Sequence, residues 1–238
     1  MLMPRMARVV CPELPHHITQ RGVRRFNVFL DEADHLRYRE LLGHYALQFG
    51  LGITAYCQMT NHVHVVGIPE REDSIAKVFR DCHGAYAAEF NKKYGKTGHV
   101  WQARPFSCVL DEAHAWAAIR YVERNPVRAR MVARAEDYPW SSARGHCGLE
   151  PDPLLSLQAN PLPPVKDWST WLASSPDTES EHRIRARTYT GRPCGDDAFV
   201  RKVEAIVGRR LAPAKSGPKP RPKSDGEPML WIEDEIRR

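Results

Sequence analysis

No stretch of this chain approaches the roughly 18 consecutive apolar residues of a membrane-spanning helix, so no helical span is expected. Met1 to Arg8 has no apolar run of the kind found in a secretory signal, and the expected location is the cytoplasm. Cysteine is scattered. Cys11, Cys57, Cys82, Cys108, Cys147 and Cys194 form no Cys-x-x-Cys and do not cluster with histidine. This argues against a structural zinc site and gives no disulfide framework. Internal repeats are missing, and so is the Gly-x-x-x-x-Gly-Lys-Ser/Thr loop of nucleotide hydrolases.

What is present is ordinary for a globular protein: 238 residues, 42% hydrophobic and 27% charged. That length buries a proper core in one domain with an extension, or in two small domains. The formal net charge of +6 favours polyanionic partners, although charge alone says little about specificity.

Along the chain, His16 to Gln20 reads as a strand running into a turn at Arg21-Gly22-Val23-Arg24-Arg25, with a second short strand over Asn27 to Leu30. Asp31 suits a helix N-cap, and Leu36, Tyr38, Leu41, Leu42, Tyr45 and Phe49 share one helical face before Gly50 and Gly52. Strands are expected over Ile53 to Met59 and Val63 to Ile68, a long helix over Asp73 to Tyr94, and a strand region over His99 to Leu110. A helix from Asp111 or Glu112 carries Tyr121 and ends near Pro126. The order β, α, β, β, α, β, α implies an α+β fold, one antiparallel sheet covered by helices, compatible with a ferredoxin-like core. After Gly148 the chain turns proline-rich, then charged and helical over Asp177 to Arg187. A helix over Asp196 to Val207 follows, then a basic stretch over Gly208 to Lys223 whose composition argues for disorder.

Thr60-Asn61-His62-Val63-His64 is the stretch with chemical content. Side chains alternate along a strand, so His62 and His64 point to one face and can serve together as metal ligands. The same spacing also suits two sheet-surface histidines in ordinary hydrogen bonds, and spacing alone does not decide. Tyr121 and Asn125 lie four residues apart on a helix and face the same way. Two imidazoles, one amide oxygen and one phenol form a coherent set, in which Mg²⁺ or Mn²⁺ on the first three keeps positions open for a phosphate oxygen. Alternatively Tyr121 is a core aromatic and Asn125 a helix C-cap.

Four motifs occur in order: Thr60-Asn61-His62-Val63-His64, Gly98-His99-Val100-Trp101-Gln102-Ala103-Arg104, Tyr121-Val122-Glu123-Arg124-Asn125-Pro126-Val127-Arg128-Ala129 and Trp140-Ser141-Ser142. Together they resemble the single-tyrosine transposases of the HUH superfamily, and most closely the REP-associated tyrosine transposases allied to insertion-sequence enzymes. The resemblance covers roughly residues 8 to 148. It implies an HUH transposase domain over 8–148, a linker with irregular or helical extension over 149–188, and a basic, partly disordered segment over 189–238.

The resemblance also implies chemistry. His62, His64 and Asn125 become ligands of Mg²⁺ or Mn²⁺, and Tyr121 the nucleophile that cleaves single-stranded DNA at hairpin repeats through a 5′-phosphotyrosine link. The free 3′-OH then rejoins strands, and because the covalent link conserves the phosphodiester bond, no ATP is needed. The expected partner is single-stranded DNA with hairpin or palindromic repeats, with no membrane, and the protein works as a monomer or homodimer. Arg21, Arg24, Arg25, Arg104, Arg124 and Arg128 are the candidates for DNA contact. Two competing functions keep parts of this picture: a domesticated DNA-binding or regulatory module, and a hydrolase of small phosphoesters indifferent to Tyr121→Phe.

Overall fold

The computed structural model describes residues 7–155, 165–175 and 177–211. Four strands, β1 (His16–Arg21), β2 (Leu51–Met59), β3 (His62–Pro69) and β4 (Phe106–Val109), pair antiparallel in the order β2-β3-β1-β4. Helix α1 (Glu32–Phe49) joins β1 to β2, and α2 (Ser74–Tyr94) joins β3 to β4. This is the βαββαβ order of the expected α+β, ferredoxin-like core. Asp31 caps α1 by accepting the Asp34 N–H at 3.0 Å, and Gly50 ends that helix with φ of 65°, a left-handed geometry that glycine adopts without strain.

Alternation along the strands sorts side chains into two cores. Ile18, Val63, Val65 and Tyr56 face α1 and α2 and pack with Tyr38, Leu42, Phe79 and Tyr86. The opposite face carries Cys57, Val66 and Cys108. It is covered by α3 (Glu112–Glu123), which continues into α4 (Asn125–Arg128), and by α5 (Ala143–His146), α6 (Trp168–Ala173) and α7 (Thr178–Thr190). Helix α8 (Asp197–Val207) packs Val203 against Val9, Cys11 and Val109.

One register shift makes the two-core arrangement possible. Ile53 pairs with Gly67 but Ala55 pairs with Val66, so Thr54 is an extra residue in β2. Without it Ile53, Ala55 and Cys57 would share a face; with it Ile53 joins the first core while Ala55 and Cys57 join the second.

Two expected strands differ from what forms. Asn27 to Leu30 is not a strand: the Val28 and Phe29 N–H groups both donate to the Thr60 carbonyl, so the segment plugs into the β2–β3 turn instead of a ladder. The region from His99 to Leu110 contributes β4 and two isolated bridges, Trp101 with Gly22 and Leu110 with Cys194. Pro105 has no N–H to pair, and the Gln102 and Ala103 carbonyls accept from the Gln20 side chain instead. In the proline-rich and C-terminal stretches, residues 156–164 and 212–238 lie outside the described residues, and with them most of the segment expected to be disordered. No helix among the described residues is long and apolar enough to cross a membrane.

Candidate active site

The second face of the sheet carries the site. Register places Thr19 opposite His64, Arg21 opposite His62 and His17 opposite Val66, so β1 and β3 present His17, Arg21, His62 and His64 to the same side. Helix α3 crosses above them and brings Tyr121. Asn125 and Arg128 follow on the same helical path through α4, where Pro126, lacking an N–H, fits the first turn.

The groups converge. The Tyr121 ring stands edge-on to His64, 5.5 Å between centroids at 89°, and edge-on to His17 at 5.7 Å. His62 and His64 lie 5.0 Å apart. A hollow of about 520 Å³ opens between them, walled also by Arg21, Phe106, Arg128 and, from α7, Arg185, Thr188 and Tyr189.

Hydrogen bonds fix each ring. The Asn61 amide donates to the Arg25 carbonyl, so its oxygen faces His62 and accepts from Nδ1–H at 2.7 Å. That leaves the His62 Nε2 lone pair free. His64 Nδ1 lies 2.9 Å from His17 Nε2. Burial, helped by the cations Arg21 and Arg128, holds the His62 pKa down at about 4 and pushes His64 well below the usual imidazole value. Both rings are therefore neutral at pH 7, the form that ligates a metal.

Arg128 organises the Tyr121 side of the hollow. Its guanidinium lies 4.5 Å from the Tyr121 ring centroid, donates to the Tyr121 hydroxyl at 3.2 Å and to the Asn125 side-chain oxygen, and sits 3.5 Å from Glu181 of α7. The Asn125 amide nitrogen caps α3 by donating to the Tyr121 and Val122 carbonyls. Asn125 thus acts as the cap the sequence allowed for, while its oxygen faces the cleft cation.

Residues 11–125 match the family model described as "Transposase IS200 like". Over that segment, just under half of the chain, the sequence is similar to the IS200-like transposases. Among solved structures, this chain is similar to a REP-associated tyrosine transposase bound to a REP hairpin. The TM-score is 0.52 and the identity 18%, over 69% of this chain and 98% of that one, a likeness of fold. A second structure, of a transposase candidate from Deinococcus radiodurans R1, is 20% identical over 54% of this chain and 92% of that one, with a TM-score of 0.35. No curated protein matched.

The six arginines separate in space. Arg21 and Arg128 line the histidine cleft. Arg24 and Arg25, both exposed and both at positive φ, line a neighbouring hollow of about 990 Å³ with Phe26, Lys96 and His99. Arg104 lies on a third hollow beside Trp101 and Arg80. Arg124 points elsewhere: its guanidinium donates to the Leu172 and Ser174 carbonyls and ties α3 to the end of α6. Among the described residues no three His, Cys, Asp or Glu side chains gather as a metal cluster.

Sequence reasoning missed His17, Thr188 and Glu181. His17 reads only as a strand residue, and the register of β1 on β3 alone brings it to His64. Thr188 and Glu181 lie beyond the family match, on a helix whose docking no local spacing announces.

Proposed function

We propose that this protein is a transposase that cleaves and rejoins single-stranded DNA at hairpin repeats, with Tyr121 as nucleophile. The observation that carries the reading is the convergence of Tyr121 with His62 and His64, contributed by elements far apart in sequence. The Tyr121 oxygen attacks phosphorus, the Tyr121 O–P bond forms and the P–O3′ bond breaks. The phenol proton leaves to solvent and the departing 3′-oxygen takes one up, which leaves a 5′-phosphotyrosine link and a free 3′-OH. Attack by that or another 3′-OH reverses the step, so rejoining uses no external energy. Arg128 supports the reaction by donating to the Tyr121 oxygen, which stabilises negative charge as it develops there.

The donor set fits Mg²⁺ or Mn²⁺: two neutral imidazoles and the Asn125 oxygen, beside a hollow open to a phosphate. When bound, the ion supplies Lewis-acid polarisation of the scissile phosphate. Arg128 has Glu181 as an alternative partner, and a shift towards it frees the Asn125 oxygen. Arg21 and Arg128 face the phosphate in the cleft, and Arg24, Arg25 and Arg104 extend the basic surface along the strand's path. Arg124, committed to α6, is left out of DNA contact. The solved relative was bound to a REP hairpin, and we assign the same class of partner here, single-stranded DNA in the cytoplasm. Residues 8–148 form the transposase domain in this reading, with the later helices as its extension.

The test is covalent trapping. The purified protein is incubated with Mn²⁺ and labelled hairpin oligonucleotides from the DNA flanking its own gene, then run on denaturing gels. A protein–DNA adduct is expected, lost in both Tyr121→Phe and His62→Ala. Binding without adduct or cleavage on any flanking strand overturns the proposal in favour of a DNA-binding or regulatory module.

A further inference from the structure

We propose that Thr188 of α7 acts through His17 as a positioning residue for His64, supplying the acceptor without which His64 cannot keep the one tautomer that can bind a metal. The inference rests on the metal role assigned to His64 above. It makes the site dependent on a helix outside the family match, which ends at residue 125.

Four buried groups form a line. His64 Nδ1 lies 2.9 Å from His17 Nε2, with the two rings stacked at 12°. His17 Nδ1 lies 2.7 Å from Thr188 Oγ1, which lies 3.1 Å from Cys108 Sγ. Cys108, His17 and Thr188 are at most 2% exposed, so their polar groups rely on one another for partners.

A neutral imidazole carries one ring proton, so the line has two self-consistent directions. In the first, His64 Nδ1–H donates to His17 Nε2, His17 Nδ1–H donates to Thr188, and the hydroxyl turns its proton to Cys108 Sγ. This leaves the His64 Nε2 lone pair open to the cleft. In the second, every donor reverses and His64 Nε2 carries the proton, which blocks coordination. Thr188 makes the first direction possible because its oxygen accepts the His17 Nδ1 proton. With valine at that position, a proton on His17 Nδ1 would be a buried N–H without an acceptor, which is more costly than a bare ring nitrogen. The proton then moves to His17 Nε2, which donates to His64 Nδ1, and the His64 proton goes to Nε2.

The experiment follows ring protons and metal separately. Nitrogen-15 NMR of the metal-free full chain reads the tautomers of His17 and His64, and calorimetry with Mn²⁺ reads affinity. In the wild type both rings are expected to carry the proton on Nδ1. Thr188→Val is expected to move the His64 proton to Nε2 and weaken Mn²⁺ binding by roughly 10–100-fold, the usual effect of losing an outer-shell partner. Thr188→Ser, which keeps the hydroxyl, is expected to restore both readings. A wild-type His64 protonated on Nε2 overturns the proposal without any variant. So does a folded Thr188→Val protein with unchanged tautomers and affinity. If the tautomers respond as expected but the wild type binds no Mn²⁺, the relay stands and the metal assignment of the preceding section fails.

Discussion

Glu123, two residues beyond Tyr121, is fully buried and accepts from three side chains: the Ser142 hydroxyl, His146 Nδ1 at 2.6 Å and Trp168 Nε1 at 2.7 Å. These partners come from α5, its N-cap and α6, so one carboxylate pins α3, and the Tyr121 it carries, to the layer outside it. Glu123→Ala would leave the indole N–H without an acceptor in a dry environment and the Ser142 hydroxyl with only its longer bond to the Tyr56 carbonyl. A loss of about 3 kcal/mol in urea unfolding is expected. A loss below about 1 kcal/mol would mean that water or another acceptor replaces the carboxylate. Nothing in the sequence distinguishes Glu123 from a solvent-facing glutamate, because its partners are 19 to 45 residues away. Tyr121, Asn125 and the two motif histidines were legible, since each pair sits at a spacing that a helix or strand turns into a shared face.

Among the elements, the turn after β1 decides where Arg24 and Arg25 go. Gly22 has an ordinary φ of −59°, so its role is space. A Cβ there would lie 2.4 Å from the Phe26 carbonyl oxygen and 2.7 Å from Val28 Cγ1. The Phe26 backbone closes the turn by donating to Val23, and it cannot retreat without opening that turn. Gly22→Ala is expected to destabilise the protein by about 1–3 kcal/mol. It should also weaken binding of a labelled hairpin oligonucleotide, read by thermal melting and fluorescence anisotropy. Unchanged melting and affinity would show that the turn absorbs the methyl group. The start and end of α1 were legible because Asp31 and Gly50 are local signals. The false strand at Asn27 to Leu30 was not avoidable by pattern: Val28 and Phe29 are core residues there, but their N–H groups share one distant carbonyl.

Across the whole molecule, buried histidines tie stability to pH. Burial is the chief cause in each case: His16, His35 and His62 are held at about 4, and His17 and His83 at about 3. In the unfolded chain such rings titrate near 6.5. Between about pH 6.5 and 4 the unfolded state therefore binds more protons than the folded one, and stability rises with pH across that window. The melting temperature is expected to be flat from pH 8 to 7 and to fall progressively as pH drops from 6.5 towards 4. A melting temperature unchanged down to pH 5 would show that these rings are hydrated or protonated in the native state.

The sequence by itself determined the βαββαβ order, the helix caps, and the pairing of His62 with His64 and of Tyr121 with Asn125, because each follows from the period of a local element. Only tertiary structure decided that the histidine face meets α3, that Thr54 bulges so β2 can serve two cores, and that Arg124 turns to α6 while Arg128 turns to Tyr121. It alone brought His17 and Thr188 to His64. Those outcomes depend on strand register and on the docking of helices far apart in the chain, and local period carries no information about either.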